Sequence, residues 1–206
     1  MTDRIDDLIY DPPLITTKSI NAINSAKDSQ VSLSLGMRGL EGYVMARKAK
    51  VNGLLADTSQ GKTSFMTAMA RNFTKQIDAN NGEVGLFITW EDNIEDFGIA
   101  DLANFSKIPL ASLYSGDVKE SQFSRLIKAG ADRAQTPLWL VGHSEESGAR
   151  ARMTMTDVWA VMENIKTKQN RKIKFVMMDY LQRINRVDLR GEGETRMQFS
   201  GVMDSI

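Results

Sequence analysis

The sequence predicts an α/β fold, a mainly parallel sheet with helices on both faces. Apolar runs of strand length recur at residues 51–56, 84–90, 138–141 and 173–179. The segments between them carry apolar side chains at helical spacing, so strands alternate with helices. The loop after the first run, Ala56-Asp57-Thr58-Ser59-Gln60-Gly61-Lys62-Thr63-Ser64, fits G-x-x-x-x-G-K-[ST] with Ala56 at the first Gly position. Strand, phosphate-cradling loop and helix in that order are the arrangement the motif requires.

Composition narrows the classes. Of 206 residues, 42% are apolar and 25% charged, which suits a soluble globular domain with a real core. There is no Cys, which excludes a disulfide scaffold and thiolate metal sites and is compatible with the cytoplasm. No apolar run approaches the ~18 residues of a membrane span. Asp3, Arg4, Asp6 and Asp7 do not compose a signal peptide. Lys plus Arg equals Asp plus Glu at 26 each, so any nucleic-acid contact comes from a local patch.

Residues 1–30 are polar and mixed, with Asp11-Pro12-Pro13 as a breaker and a short helix expected over 18–27. They read as an N-terminal arm or linker, and the main domain runs from 31 to 206. Leu33, Leu35, Met37 and Leu40 stand among Ser and Gly as an extended lead-in, and Arg47-Lys48-Ala49-Lys50 is a solvated charge run. In the loop, backbone N–H groups of Thr58, Ser59, Gln60, Gly61, Lys62, Thr63 and Ser64 suit polyphosphate, aided by the positive end of the following helix. Lys62 reaches the outer phosphates, and the Thr63 hydroxyl is a Mg²⁺ ligand. Phe65, Met66, Met69, Ala70, Phe73 and Ile77 mark that helix, and Asn80-Asn81-Gly82 a turn.

The second strand, 84–90, closes on Glu91-Asp92. A carboxylate at the C-terminal end of a parallel strand faces the ligand crevice, where Glu91 would orient and deprotonate an attacking water. The alternative is a first-turn acid; Asp92 and Asn93 are assigned to the helix cap and Glu91 to the chemistry. Ile94, Phe97, Leu102 and Phe105 give one helix, residues 113–117 a turn, and Phe123, Leu126, Ile127 and Ala134 another helix. The third strand follows Pro137 and leads into a polar loop, 142–148. Its His143, the only histidine, is left outside the site. Thr154 to Asp157 cap a helix bearing Val158, Val161, Met162 and Ile165. The fourth strand, 173–179, ends in Asp179, a Walker B arrangement in which Asp179 would hold Mg²⁺ from the strand beside the P-loop strand. Residues 186–194 read as a polar, flexible loop, and 195–206 return to helical spacing.

In three of these stretches the chain resembles the ATPase domain of DnaB-type replicative helicases, of the RecA-like class. The similar stretches are Ala56 to Phe65, Phe87-Ile88-Thr89-Trp90-Glu91, and Met177-Met178-Asp179-Tyr180-Leu181-Gln182, with Ser115-Gly116 and the Pro137 strand between. Asp-Tyr-Leu-Gln is the most specific of these, and Ala at the first P-loop position is common in that family. The resemblance spans roughly 31–206. It implies an ATP- and Mg²⁺-dependent DNA-unwinding motor, a hexameric ring with ATP between subunits, in the cytoplasm of a bacterial or phage-infected cell. On that basis Lys62 and Thr63 bind phosphate and Mg²⁺, Glu91 is the catalytic carboxylate and Asp179 the Walker B acid.

The resemblance also implies contacts to single-stranded DNA from Arg183, Arg186 and Arg190, which would grip phosphate without reading sequence. The same composition suits a solvated loop. The family's usual Glu-Met is Glu91-Asp92 here. Its Gln motif, its arginine finger and its helical N-terminal domain have no counterpart in the sequence, so the ATPase domain reads as C-terminally incomplete. An arginine finger is worth about 10³–10⁵ in turnover, so slow hydrolysis is expected of this chain alone. Two other classes share the phosphate site: a non-motor RecA-like ATPase acting as a nucleotide-gated assembly or loading protein, and a P-loop small-molecule kinase using Arg150 and Arg152.

Overall fold

The computed structural model describes residues 11–27, 32–41, 45–47, 51–57, 59–144 and 153–179. They belong to two compact units, Met1–Asn52 and Gly53–Ile206. In the first, helix α1 spans Pro12–Lys27. Strands β1 (Ser32–Ser34) and β2 (Met45–Arg47) pair antiparallel. Helix α1 begins earlier than the sequence reading placed it. The Asp11 carboxylate accepts the Leu14 N–H at 2.9 Å, and Pro12 sits in the first turn, where its missing N–H costs nothing. The Asp-Pro-Pro breaker is in fact a helix start.

The second unit contains a three-stranded parallel sheet of order β4-β3-β5: β3 is Glu83–Asn93, β4 Leu138–His143 and β5 Lys172–Asp179. Helix α2 (Lys62–Thr74) precedes β3, while α3 (Ile94–Ser106), the short α4 (Leu110–Tyr114) and α5 (Glu120–Ala134) link β3 to β4. Helix α6 (Met155–Thr167) links β4 to β5. Because β4 and β5 flank β3 on opposite sides, successive crossovers of one hand must cover opposite faces.

Side-chain alternation along β3 shows this directly. Val84, Leu86, Ile88 and Trp90 are buried with Val158 and Ile165 of α6. On the other face Phe87 meets Phe97 of α3 with ring centroids 4.7 Å apart, and Phe175 meets Phe73 of α2 edge-on at 5.3 Å. Beneath Phe175 lies Gly85, where a Cβ would fall 2.0 Å from the ring, so a side chain at this position would displace the Phe175 ring from where it sits. The fold class expected from sequence is therefore the one observed. Among the described residues no helix is long and apolar enough to cross a membrane.

One expected strand is absent. Residues 51–57 carry neither strand nor helix, and Val51, Leu54 and Leu55 are exposed, Leu55 at 92%. A strand is made by a partner that takes up its backbone N–H and C=O groups. Among the described residues no strand ladder includes this run, so its apolar composition alone does not produce a strand. The adjacency expected between a P-loop strand and β5 is correspondingly not seen. The turn expected over 113–117 is in part the end of α4. The loop 186–194, the helix 195–206 and residues 145–152 lie outside the described residues.

Candidate functional site

Parallel strands deliver their C-terminal ends to one edge, and here that edge carries Thr89 to Asn93, His143 and Asp179. Asp179 is the register partner of Thr89, and Asn93 that of His143. Asp179 is buried, 1% exposed, and its Oδ2 accepts a hydrogen bond from the Thr63 hydroxyl at 2.6 Å. These two residues lie 116 positions apart in sequence.

Thr63 owes its position to the way α2 starts. Ser59 and Gly61 both have left-handed backbones, φ 62° and φ 79°, and Gly61 caps the helix. The conformation is strained for Ser59 and free for Gly61. Gly61 O accepts the Phe65 N–H at 2.9 Å, closing the first turn. The N–H groups of Lys62, Thr63 and Ser64 therefore have no carbonyl a turn earlier in the helix and stand at its positive end. Ser59, Gln60, Gly61 and Ser64 are exposed, while Lys62 and Thr63 are half-buried. Thr58 lies outside the described residues.

The Lys62 ammonium does not extend outward. Its Nζ donates to the carbonyls of Ala56 at 2.8 Å and Asp57 at 2.7 Å, folding the side chain over its own loop. An ammonium has three donors and no acceptor, so it holds the nearest oxygens.

Glu91 lies in β3, and its side chain is outside the described part of the structure. Its backbone neighbourhood is defined. Thr89 Oγ1 accepts the Asp92 N–H at 3.1 Å and lies 3.4 Å from Asp92 O, where the hydroxyl donates. Glu91 therefore sits inside a tight closure one strand away from Asp179. Asn93 is the N-cap of α3 by backbone conformation but makes no side-chain cap bond, and Glu95 and Asp96 supply the first-turn acids. The cap assigned to Asp92 and Asn93 is thus a backbone feature only.

A groove of about 640 Å³ opens beside Thr63 and Ser64, walled by Arg71 from α2 and by Asp92, Asp96, Lys107 and Tyr114. Partial burial, then the hydrogen bond to Asp96 and the nearby carboxylate charges, push the Tyr114 phenol above its ordinary range. Below the groove, Asp101 of α3 is 1% exposed and bridges Arg71 of α2 at 2.6 Å and Arg133 of α5 at 2.7 Å. Sequence reading missed this triad, although Asp101 stands four residues from Phe97 on the apolar face of its helix. It missed Thr89 too, a hydroxyl within an apolar run. His143 is buried, 8% exposed, and its Nδ1 has no hydrogen-bond partner among the described residues.

The oxygens at this edge suit a hard cation. A hydroxyl and a carboxylate already in contact, at the positive end of a helix, match the oxygen preference of Mg²⁺ bound together with phosphate. Gly61 leaves open space where a side chain would stand. Thr63, Asp179 and the 59–64 turn thus fit a Mg²⁺–nucleoside triphosphate. Among the described residues no group of three or more His, Cys, Asp or Glu could hold a metal alone. Arg183, Arg186, Arg190, Arg150, Arg152 and Tyr180-Leu181-Gln182 lie outside the described residues.

Comparison with known proteins adds a family. The profile described as the DnaB-like helicase C terminal domain matches residues 38–204. Among solved structures, an ATPase domain aligns with TM-score 0.57 at 16% identity, covering 72% of this chain and 48% of that one. A DnaB-like replicative helicase, solved for its interactions with primase, aligns with TM-score 0.56 at 16% identity, covering 72% and 32%. The chain thus spans less than half the length of either structure. No curated protein matches the sequence.

Proposed function

The chain belongs to the DnaB-like helicase C-terminal domain family, and from that premise we propose that it is the ATP-binding and hydrolysing motor domain of a replicative DNA helicase. In this reading, hydrolysis drives translocation on single-stranded DNA. The whole protein works as a homo-oligomeric ring, a hexamer, in the cytoplasm of a bacterial or phage-infected cell. Slow turnover by the 206-residue chain on its own belongs to the same proposal. The observation that carries it is the 2.6 Å hydrogen bond from Thr63 to Asp179, which joins the phosphate loop to the strand-end acid.

The division of labour follows from chemistry. Thr63 and Asp179 would hold Mg²⁺, Asp179 through a water. The N–H groups of residues 58–64 would wrap the phosphates. Bound Mg²⁺ supplies charge neutralisation across the outer phosphate oxygens. Lys62 would exchange the Ala56 and Asp57 carbonyls for phosphate oxygens, which satisfy its donors better because they are charged. Glu91 would orient a water in line with the terminal phosphate and take its proton. Arg183, Arg186 and Arg190 would grip the phosphates of the single strand.

The test is nucleotide binding and turnover in two variants. Lys62→Ala should abolish Mg²⁺-dependent ATP binding, and Glu91→Gln should leave binding intact while lowering hydrolysis at least a hundredfold. Retained binding in Lys62→Ala would remove the P-loop assignment. ATP-dependent assembly without strand separation would turn the reading towards an assembly or loading ATPase.

A further inference from the structure

Glu91 sits two residues past Thr89, whose pair with Asp179 is the last between β3 and β5 among the described residues. Pairing of β3 with β4 also breaks its register between Ile88 and Asn93. The β4 ladder is interrupted after Ile88 and resumes only at Asn93 with His143. One side chain spans the interruption. Thr89 is 1% exposed, and its hydroxyl takes the Asp92 N–H at 3.1 Å and faces Asp92 O at 3.4 Å. Its methyl is wedged against β4: a Cβ built on Gly142 would stand 2.8 Å from Thr89 Cγ2 and 3.2 Å from Thr89 O. The methyl locks the side chain and the hydroxyl locks the four residues 89–92.

We infer that Thr89 is a positioning residue for hydrolysis, its hydroxyl holding the 89–92 closure so that the backbone of Glu91 is fixed at the sheet edge that carries Asp179. This rests on the proposed role of Glu91. Thr89 touches neither water nor phosphate in this scheme; it acts through the backbone that carries the carboxylate. Misplacing a reacting group by about 1 Å costs on the order of 10² in rate, which is the scale expected when the closure opens. The two halves of the side chain make separable predictions, because valine keeps the shape and loses the hydroxyl whereas serine keeps the hydroxyl and loses the methyl.

The experiment compares wild type, Thr89→Val, Thr89→Ser and Glu91→Gln on the 206-residue chain. ATP–Mg²⁺ affinity is measured by titration, hydrolysis by single turnover with the chain in excess, and thermal unfolding in parallel. Thr89→Val is expected to hydrolyse about 10- to 100-fold more slowly with affinity within twofold of wild type. Thr89→Ser is expected to return to within about threefold of the wild-type rate even where its melting temperature falls. An unchanged rate in Thr89→Val overturns the inference. So does a parallel loss of affinity and rate, or a serine variant as slow as the valine one. If Glu91→Gln is inactive while Thr89→Val is not, this inference fails and the Glu91 assignment stands. A Glu91→Gln rate equal to wild type sinks that assignment, and this inference with it.

Discussion

Asp101 shows how much one buried charge decides. With 1% exposure its carboxylate has little water, and Arg71 and Arg133, whose side chains are 18% and 20% exposed, hold its two oxygens. The three residues come from α3, α2 and α5, and the helix that starts at the P-loop is thereby tied to two others. Removing one member of such a group leaves the rest uncompensated, at a cost of about 3–5 kcal/mol for a buried pair. Because both guanidiniums keep some water, Asp101→Ala should destabilise the chain by about 3 kcal/mol, read as a shift in the urea unfolding midpoint at constant slope. A change under about 1 kcal/mol would mean that the triad is a surface ion pair in energetic terms. At this scale the sequence was partly legible. Thr63 stands out from the loop motif and Asp179 from the apolar strand that ends in it, and a hydrogen bond joins the two side chains. The Lys62 contacts were not foreseeable, because an ammonium takes whichever oxygens the folded loop offers. Thr89 and Asp101 were hidden because a polar residue on an apolar face announces burial without naming its partner.

The elements divide along the same line. Strands β3, β4 and β5 and helices α2, α3, α5 and α6 follow from apolar periodicity and turn chemistry, since both are local. The strand expected over 51–56 and the early start of α1 show where locality ends. A strand needs a partner supplied by another part of the chain, and Pro12 means break or start according to which atom Asp11 bonds. The start of α6 was legible, and it makes a pH-dependent prediction. Thr154 Oγ1 accepts the Asp157 N–H at 3.1 Å, and Asp157 Oδ2 accepts the Thr154 N–H and hydroxyl, each at 2.8 Å. Those bonds, the backbone one foremost, hold the Asp157 carboxyl below its ordinary pKa of 3.8. A depressed folded-state pKa gives stability that is present above the unfolded value and is lost as pH falls through the folded one. Asp157→Asn should therefore lower the melting temperature at neutral pH and converge on wild type as the pH falls below 3.8. Parallel melting curves from pH 7 to pH 2.5 would refute the coupling. The cap as a whole is worth about 1 kcal/mol, enough to read in a chain of this size.

For the whole molecule, charge is the informative quantity. The 26 basic and 26 acidic residues cancel, so a polyanion sees no net field at long range. The proposed binding to single-stranded DNA would have to come from a few residues, and its salt dependence would count them. Each phosphate neutralised on a single strand contributes about 0.7 to the slope of log affinity against log salt. If Arg183, Arg186 and Arg190 are the residues that grip the strand, replacing all three with alanine should reduce that slope by about 2. The loss should be the same for any base sequence, because phosphate contacts carry no sequence information. Fluorescence anisotropy of a labelled oligonucleotide between low and moderate salt measures both quantities. An undiminished slope would move the DNA contact elsewhere on the chain, while a slope that falls for one base sequence only would mean that bases, not phosphates, are held. ATP–Mg²⁺ affinity in the same triple variant should remain at the wild-type value, since Lys62, Thr63 and Asp179 are untouched. A joint loss would indicate that the arginines serve the nucleotide site instead of the strand.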